Sequence, residues 1–295
     1  MNTSKRKRII YVAGYGRSGS TLLDTILSSH PELEGVGEIK YLFEEWNKKE
    51  TLAPIWDDIL ELYQKEVGIS LEEAHNITCD VQNPFKSTTS IQREKYFKIW
   101  SFLMSTLSER LPDITIVDSS KNAMDAFNRP KLLKDLGYEV KIIHLTRSPK
   151  DVIYSLGKKG SNRLLEAGVK GKKAILKGGT IRALINWTWV NLGVKYYYSS
   201  KKGYKIYSLK YEDFIEKTEE TFKDVANFLE IDEQPFDNIS QGIEVQGGIG
   251  VSGNRMRRKS KIIIRSQEVV KNDKFNLLEK GLFLLFKPFF RILGY

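Results

Sequence analysis

The stretch VAGYGRSGSTLL, residues 12–23, constrains the fold more than any other part of this 295-residue sequence. Gly14 and Gly19 have the G-x-x-x-x-G spacing of a phosphate-binding loop. An apolar strand pattern precedes the loop, and a helix pattern follows it at Ser20–Ser29. Backbone N–H groups of such a loop and of the following helix converge on an anion. The sequence therefore predicts an anion-binding turn between a first strand and a first helix.

The loop differs from that of nucleotide triphosphatases at one position. After the second glycine those proteins carry Lys and then Ser or Thr, whereas this chain has Ser20 and Thr21. The lysine that neutralises the outer phosphates is absent, and Arg17 supplies a planar guanidinium suited to an oxyanion inside the loop. We expect a shorter or differently branched ligand than a triphosphate. The alternative interpretation is a glycine-rich turn without a ligand.

Strand and helix patterns alternate along the chain, which is typical of an α/β fold. We predict three layers, as in P-loop proteins: a central parallel sheet flanked by helices. The predicted strands are Arg8–Ala13, Ile114–Val117, Val140–Leu145 and Lys205–Leu209. The later predicted helices are Ala123–Leu136, Lys150–Gly157 and Glu212–Leu229. Residues 39–111 lack a strand pattern and predict a helical insertion after the first strand, within one domain of residues 1–295.

Composition narrows the environment and the ligands. Lys and Arg number 47 against 37 Asp and Glu, a net charge of +10, so we expect the surface to attract anions. The single cysteine, Cys79, excludes an intramolecular disulfide and favours either a reducing compartment or a protein indifferent to the redox state. The first apolar run is too short for a signal peptide or a membrane span. These features predict a cytoplasmic protein.

The segment GYGRSGSTLLDTILSSHPELEGVGE, residues 14–38, resembles the 5′-phosphosulfate-binding loop of sulfotransferases, above all of the tyrosylprotein and carbohydrate branches. Members of that family are similar to nucleotide kinases in fold, and they use 3′-phosphoadenosine 5′-phosphosulfate (PAPS) as co-substrate without a metal ion. The resemblance implies that six loop residues bind the 5′-phosphosulfate: Gly16, Arg17, Ser18, Gly19, Ser20 and Thr21.

A second anion site is predicted in KIIHLTRSPKDVIYSL, residues 141–156, where a strand ends at Arg147 and Pro149 opens a helix that carries Ser155. The arrangement resembles the 3′-phosphate site of the same family, which implies that Arg147 and Ser155 bind the 3′-phosphate. The alternatives are a surface arginine paired with Asp151 and a solvated helix serine.

Between these sites lies ITIVDSSKNAMDAF, residues 114–127, in which a strand ends at Asp118 and Lys121 follows. A similar stretch in sulfotransferases carries a lysine at the bridging oxygen or the phosphosulfate, which implies a catalytic role for Lys121 together with Arg17. The alternatives are an Asp118 that caps the next helix, pairs with Lys121 or, as in triphosphatases, holds magnesium.

A basic segment near the end of the chain, GVSGNRMRRKSKIII at residues 250–264, resembles one in bacterial members of the family. The resemblance implies that Arg255 and Arg257 lie over the nucleotide. A basic surface loop is the alternative.

The candidate base is a carboxylate. Glu38 aligns, within one residue, with the glutamate that tyrosylprotein sulfotransferases use as base, so the resemblance implies that it accepts the acceptor's proton. The alternative is a helix-starting glutamate favoured by the helix dipole. The only histidines, His30, His75 and His144, are expected to be structural.

Two further segments have no assigned role. The apolar stretch NLLEKGLFLLFKPFFRILGY, residues 276–295, is too short and too charged to span a bilayer, so it is either a helix docked on the domain or an interfacial anchor for peripheral membrane contact. The Gly- and Lys-rich residues 166–180 predict a mobile loop.

The resemblance implies a sulfotransferase that acts on a hydroxyl or amine of a glycan, lipid or small molecule, with no nucleic-acid partner. The insertion at residues 39–111 resembles nothing assignable, so the acceptor stays open. The alternatives are a P-loop-like nucleotide or small-molecule kinase with an altered loop, and a non-catalytic module that binds acidic ligands.

Overall fold

The computed structural model describes residues 7–47, 52–121, 126–159, 179–199, 202–244, 248–252, 261–264 and 274–295. Their centre is a five-stranded parallel sheet in the order β2-β3-β1-β4-β5. The strands are β1 Arg8–Ala13, β2 Leu33–Gly37, β3 Thr115–Asp118, β4 Glu139–Thr146 and β5 Lys205–Lys210. The α-helices used below are α1 Ser20–Leu27, α2 Leu42–Asn47, α3 Pro54–Glu66, α4 Leu71–Gln82, α5 Ser90–Arg110, α6 Arg129–Asp135, α7 Pro149–Lys159, α8 Gly179–Tyr197, α9 Tyr211–Glu216, α10 Thr218–Leu229 and α11 Leu277–Ile292.

Strand β1 lies at the centre of the sheet because its sequence RIIYVA suits burial on both faces. Ile10 and Val12 enter a core formed with α1, α9 and α10. Ile9 and Tyr11 face the opposite core, which α3 to α6 share. The predicted three-layer α/β fold with a central parallel sheet is confirmed, and β1 has the predicted bounds.

Strand β2 was not predicted, and it places the helical region after the second strand in chain order rather than directly after the first. Its sequence LEGVG carries two glycines and no run of β-branched residues. It is a strand because it pairs with β3. Position 35 must be glycine because α1 packs closely against it. A side chain at that position would reach within 2.5 Å of the Asp24 carboxylate on α1 and 2.3 Å of the Ser28 hydroxyl.

Helices α2 to α5 occupy the region between β2 and β3. Three of their large aromatic residues, Trp56, Tyr96 and Trp100, are fully buried in the same core as Tyr11 of the sheet. Thr89 starts α5 with a reciprocal capping box to Gln92, which fixes the beginning of this 21-residue helix. The helical region is therefore packed directly onto one face of the sheet.

Helix α11 runs alongside α8 in the same direction. The Thr180 hydroxyl donates to the Glu279 carboxylate at 3.1 Å near the start of both helices, and Lys195 Nζ donates to the Ile292 carbonyl at 2.6 Å near their ends. Phe283 and Phe290 enter a third core with α7 and α8. The chain then ends at Tyr295 beside β4 and α9.

Candidate active site

The glycine-rich loop follows β1, where the carboxyl ends of the central strands meet. The loop needs glycine where the backbone packs most tightly. A side chain at Gly14 (φ 135°) would clash with the Leu145 carbonyl, and one at Gly19 (φ 94°) would clash with the ring of Tyr211. Arg17 also has a positive φ, of 68°, so the loop holds a strained turn at its only basic residue.

The interior of the loop has the features of an anion cradle. No atom of the described residues lies within 4 Å of the position that a side chain would take at Gly16. Among the described residues the buried Ser18 hydroxyl has no hydrogen-bond partner, and no side chain caps the start of α1 at Ser20. A tetrahedral oxyanion in the loop would satisfy these donors. The loop therefore has the room and the donors for a tetrahedral anion.

Arg147, the first residue after β4, connects the two predicted anion sites. Its guanidinium donates to the Arg17 carbonyl at 3.2 Å and lies 4.3 Å from the centroid of the Tyr211 ring. The Trp187 indole donates to the Arg147 carbonyl at 3.1 Å. Ser155 lies half-buried on α7, the helix that begins at Pro149 as predicted. The loop and the Arg147 site are adjacent.

A polar network from the last helix supports this region. The Tyr295 hydroxyl lies 3.1 Å from the Thr146 hydroxyl and 3.0 Å from the Glu212 carboxylate. The other oxygen of Glu212 accepts from the backbone N–H of Ser148 at 2.8 Å. Burial raises the pKa of Tyr295, so its phenol stays protonated. The network holds the residues on both sides of Arg147.

Glu38 and Lys121 form an ion pair at the ends of β2 and β3. Lys121 Nζ donates to Glu38 Oε1 at 2.7 Å, with both side chains about one-sixth exposed. Lys121 adopts a positive φ of 63°, and its carbonyl accepts a hydrogen bond of 2.5 Å from the Tyr11 hydroxyl. The Tyr11 side chain of β1 thus holds the strained backbone of Lys121 in place. Two residues that were predicted separately as catalytic lie together.

The Asp-Ser-Ser segment before Lys121 is structural. Asp118 forms a fully buried ion pair of 2.6 Å with Arg129 on α6, and the Arg129 guanidinium lies 4.0 Å from the Trp100 ring centroid. Asp118 also accepts from the Ser120 backbone N–H at 2.9 Å. The alternative in which Asp118 pairs with Lys121 is wrong, because each has a different partner. Arg129 gave no local sequence signal, since it lies eleven positions from Asp118.

A short segment, residues 248–252, lies beside Glu38. The Glu38 backbone N–H donates to the Val251 carbonyl at 2.8 Å, and the Val251 N–H donates to Val36. Ile249 accepts from the Trp56 indole on α3. The described chain therefore approaches the base candidate just before the predicted arginine segment. Arg255 and Arg257 themselves lie outside the described residues, as does most of the predicted loop at 166–180.

The three histidines have structural contacts. His30 is buried between the Asp232 carbonyl and the Glu32 N–H. His144 is buried in β4 next to the Asn191 amide, and burial lowers its pKa to about 4. His75 contacts Cys79 on α4. Within the described residues no group of three or more His, Cys, Asp or Glu could hold a metal ion.

One residue of this region, Tyr211, was not predicted from the sequence. Its ring contacts both the loop and Arg147. Its signal was its position directly after β5, because residues at the carboxyl ends of parallel strands face the ligand crevice.

A parallel sheet whose carboxyl edge carries a glycine-rich loop, an adjoining arginine and a carboxylate–lysine pair has the architecture of a P-loop-like α/β fold. The family model described as Sulfotransferase domain matches residues 7–290, so the chain belongs to the sulfotransferase family and is a sulfotransferase. No curated protein matches it.

The chain is similar to several solved sulfotransferase structures. Sulfotransferase STF9 from Mycobacterium avium has a TM-score of 0.52 at 10% identity, over 98% of this chain and 77% of that chain. The sulfotransferase domain from the curacin biosynthetic pathway has a TM-score of 0.49 at 18% identity, over 96% and 92%. In the described residues no helix has the length and apolar character needed to cross a membrane.

Proposed function

We propose that this sulfotransferase moves a sulfuryl group from PAPS to a hydroxyl or amine of a glycan, lipid or small-molecule acceptor. The observation that carries the proposal is the contact of Arg147 with the Arg17 carbonyl. A ligand with phosphate groups on both its 5′ and 3′ positions needs two anion sites close together. The glycine-rich loop supports the first site, and Arg147 with Ser155 supports the second.

The loop residues bind the 5′-phosphosulfate in this proposal. The N–H groups of Gly16 to Thr21, the Ser18 hydroxyl and the Arg17 guanidinium donate to its oxygens. This ligand also explains why the loop carries no lysine, since PAPS has no γ-phosphate for a lysine to neutralise. Arg255 and Arg257 are proposed to cover the nucleotide, and the segment at Val251 supports this by its approach to the site.

The transfer itself needs charge neutralisation and removal of a proton. As the bond between sulfur and the bridging phosphate oxygen breaks, negative charge grows on that oxygen, and Lys121 and Arg17 stabilise it. The acceptor oxygen or nitrogen forms the new bond to sulfur, and Glu38 takes its proton. The ion pair of 2.7 Å brings both groups to the same point. Positioning and electrostatics then supply most of the rate.

The proposal includes a cytoplasmic location, which the single, half-buried thiol of Cys79 suits. The helical region after β2 is proposed to determine which acceptor binds. The turn at Ile39–Tyr41 and helix α2, which begin this region, directly follow Glu38 in the chain. Carbohydrate acceptors remain one class among those proposed.

The test measures release of 3′-phosphoadenosine 5′-phosphate from PAPS with panels of phenols, sugars, amines and lipids. Glu38→Gln is expected to lower kcat by about 10²- to 10⁴-fold, the usual contribution of a general base. Binding of 3′-phosphoadenosine 5′-phosphate should stay within about twofold, because only the proton acceptor is lost.

The control is Glu73→Gln on α4, which removes an equal charge from a partly exposed pair with Lys95 of α5 and should leave kcat unchanged. Undiminished turnover in Glu38→Gln would remove Glu38 from the mechanism. Absence of turnover with every acceptor class, together with absence of bisphosphate binding, would overturn the proposed function.

A further inference from the structure

Helix α11 has two apolar faces, of which the domain covers only one. Phe283 and Phe290 are buried against α7 and α8. On the opposite side the apolar side chains are exposed to solvent. Four leucines there are between 69% and 86% exposed, and two further residues are 40–41% exposed: Leu277, Leu278, Leu284, Leu285, Phe289 and Ile292. We call these six residues the outer face of α11.

The outer face is unusual for a surface helix. Helices of soluble domains carry apolar residues on one side and polar residues on the other. At 100° per residue, the outer face is centred almost opposite Phe283 and Phe290. The neighbouring helix α8 also exposes two isoleucines, Ile181 and Ile185, which lie one turn apart and are 42% and 49% exposed. An exposed apolar helix face of this kind marks a contact with a protein or a membrane.

Charge decides between these partners. Three cations, Lys280, Lys287 and Arg291, lie on one edge of the outer face, between it and the docked side. The only acid of α11, Glu279, is buried and accepts from Thr180. Helix α8 contains no acidic residue. The outer face of α11 and its edge are therefore apolar and cationic.

We propose that the outer face of α11 binds an anionic membrane surface, with its leucines at the acyl boundary and its basic edge at the headgroups. This pattern of an apolar face bordered by Lys and Arg is the physical signature of a helix in the membrane interface. A second copy of the chain fits less well, because two such surfaces would bring like charges together with no exposed acid on α8 or α11 to pair with them.

The docked-helix interpretation is confirmed, and docking of one side leaves the other side of α11 free for the proposed membrane contact. Phe283, Phe290 and the Thr180–Glu279 bond fix α11 to the domain. The same helix presents its other side outward, so that the domain itself comes to lie on the membrane. The inference does not depend on the transfer reaction, since it needs only this helix and its charges.

The test is sedimentation of the purified full chain with vesicles of phosphatidylglycerol and phosphatidylcholine at equal amounts, compared with pure phosphatidylcholine. The chain is expected to bind the anionic vesicles at least tenfold more tightly, and 1 M salt should weaken that binding. The double variant Leu284→Ser, Leu285→Ser should lose binding at least tenfold. Both side chains are about 70% exposed, so the domain should keep its thermal midpoint.

Ile91→Ser is the matched control, because Ile91 is 63% exposed on α5, away from α11. It should bind vesicles like the unaltered chain. Lys280→Gln, Lys287→Gln and Arg291→Gln together should remove the preference for anionic vesicles. Failure of the unaltered chain to bind either vesicle would overturn the proposal. So would a dimer in analytical ultracentrifugation that the leucine variant abolishes, since a second copy would then cover the outer face.

Discussion

Lys121 Nζ lies 2.7 Å from Glu38 Oε1, although the two residues are 83 positions apart in the chain. The pair forms because β2 and β3 are neighbours and both residues follow the carboxyl ends of their strands. The Ser119 backbone N–H also donates to the Gly37 carbonyl at 2.8 Å, which fixes the two strand ends to each other. The pair is therefore preorganised by the backbone.

The first prediction treats Glu38 and Lys121 as one unit. Lys121→Met alone should lower kcat by about 10²-fold or more, since it removes a charge that stabilises the leaving oxygen. The double variant with Glu38→Gln should be no more than a few-fold slower than the slower single variant, because residues that act together give non-additive losses. Steady-state kinetics of the four proteins tests this. Multiplicative losses would mean that the two residues act independently.

The second prediction concerns Arg147. Arg147→Ala should weaken binding of 3′-phosphoadenosine 5′-phosphate about 10- to 100-fold, the effect of losing a charge-assisted hydrogen bond. Binding of adenosine 5′-monophosphate should change little, because it has no 3′-phosphate. Arg110→Ala is the control, since Arg110 lies in an exposed pair with Asp58. Equal losses for the two nucleotides would contradict a 3′-phosphate site at Arg147.

The third prediction separates the fold of the loop from its ligand. Gly16→Ala should leave the free energy of unfolding within about 0.5 kcal/mol, as for a substitution into open space. It should nevertheless weaken bisphosphate binding, because the methyl group enters the cradle. Gly19→Ala should lower the free energy of unfolding by about 1–3 kcal/mol, through its positive φ and the Tyr211 ring. Urea unfolding and calorimetry measure both. Normal binding by Gly16→Ala would place the anion elsewhere.

The fourth prediction is a pH dependence from His144. Burial lowers the pKa of this histidine to about 4, from its usual 6.5. The unfolded chain binds a proton below about pH 6.5, whereas the folded chain does so only near pH 4, so stability falls as the pH drops through this window. Between pH 7 and 4.5 the loss from this group should be about 2 kcal/mol.

The measurement is urea unfolding at pH 7 and pH 4.5 for the unaltered chain and for His144→Gln. The variant cannot take up a proton at this position. The decrease in its free energy of unfolding between pH 7 and pH 4.5 should therefore be smaller by about 2 kcal/mol. The same pH dependence in both proteins would show that His144 does not titrate as its burial requires.

Local patterns were enough for the elements that the chain specifies by itself. Strand β1 has its predicted bounds, α1 begins at Ser20 as the glycine spacing indicates, and α7 begins at Pro149. The predicted helix at 212–229 is divided at Lys217 into α9 and α10, because the backbone of Lys217 leaves the helical region. Strand β2 depends on pairing with β3, which no local pattern records.

The site could be predicted only in part for the same reason. The loop residues and Arg147 were recognisable because strand ends and helix starts lie within a few positions of them. The contacts that organise the site join distant positions. Asp118 needs Arg129 from the next helix, Lys121 needs Glu38, and Thr146 needs Tyr295 from the far end of the chain. Sequence spacing carries no information about such pairs.

The central claim is that the site binds a nucleotide with separate 5′ and 3′ phosphate groups, and isothermal titration calorimetry tests it most directly. The purified chain is titrated with 3′-phosphoadenosine 5′-phosphate and, in parallel, with ATP and magnesium. The proposal predicts tight binding of the bisphosphate and at least tenfold weaker binding of magnesium-ATP. Preference for magnesium-ATP would contradict it and would make a kinase with an altered loop the better account of Ser20 in place of lysine.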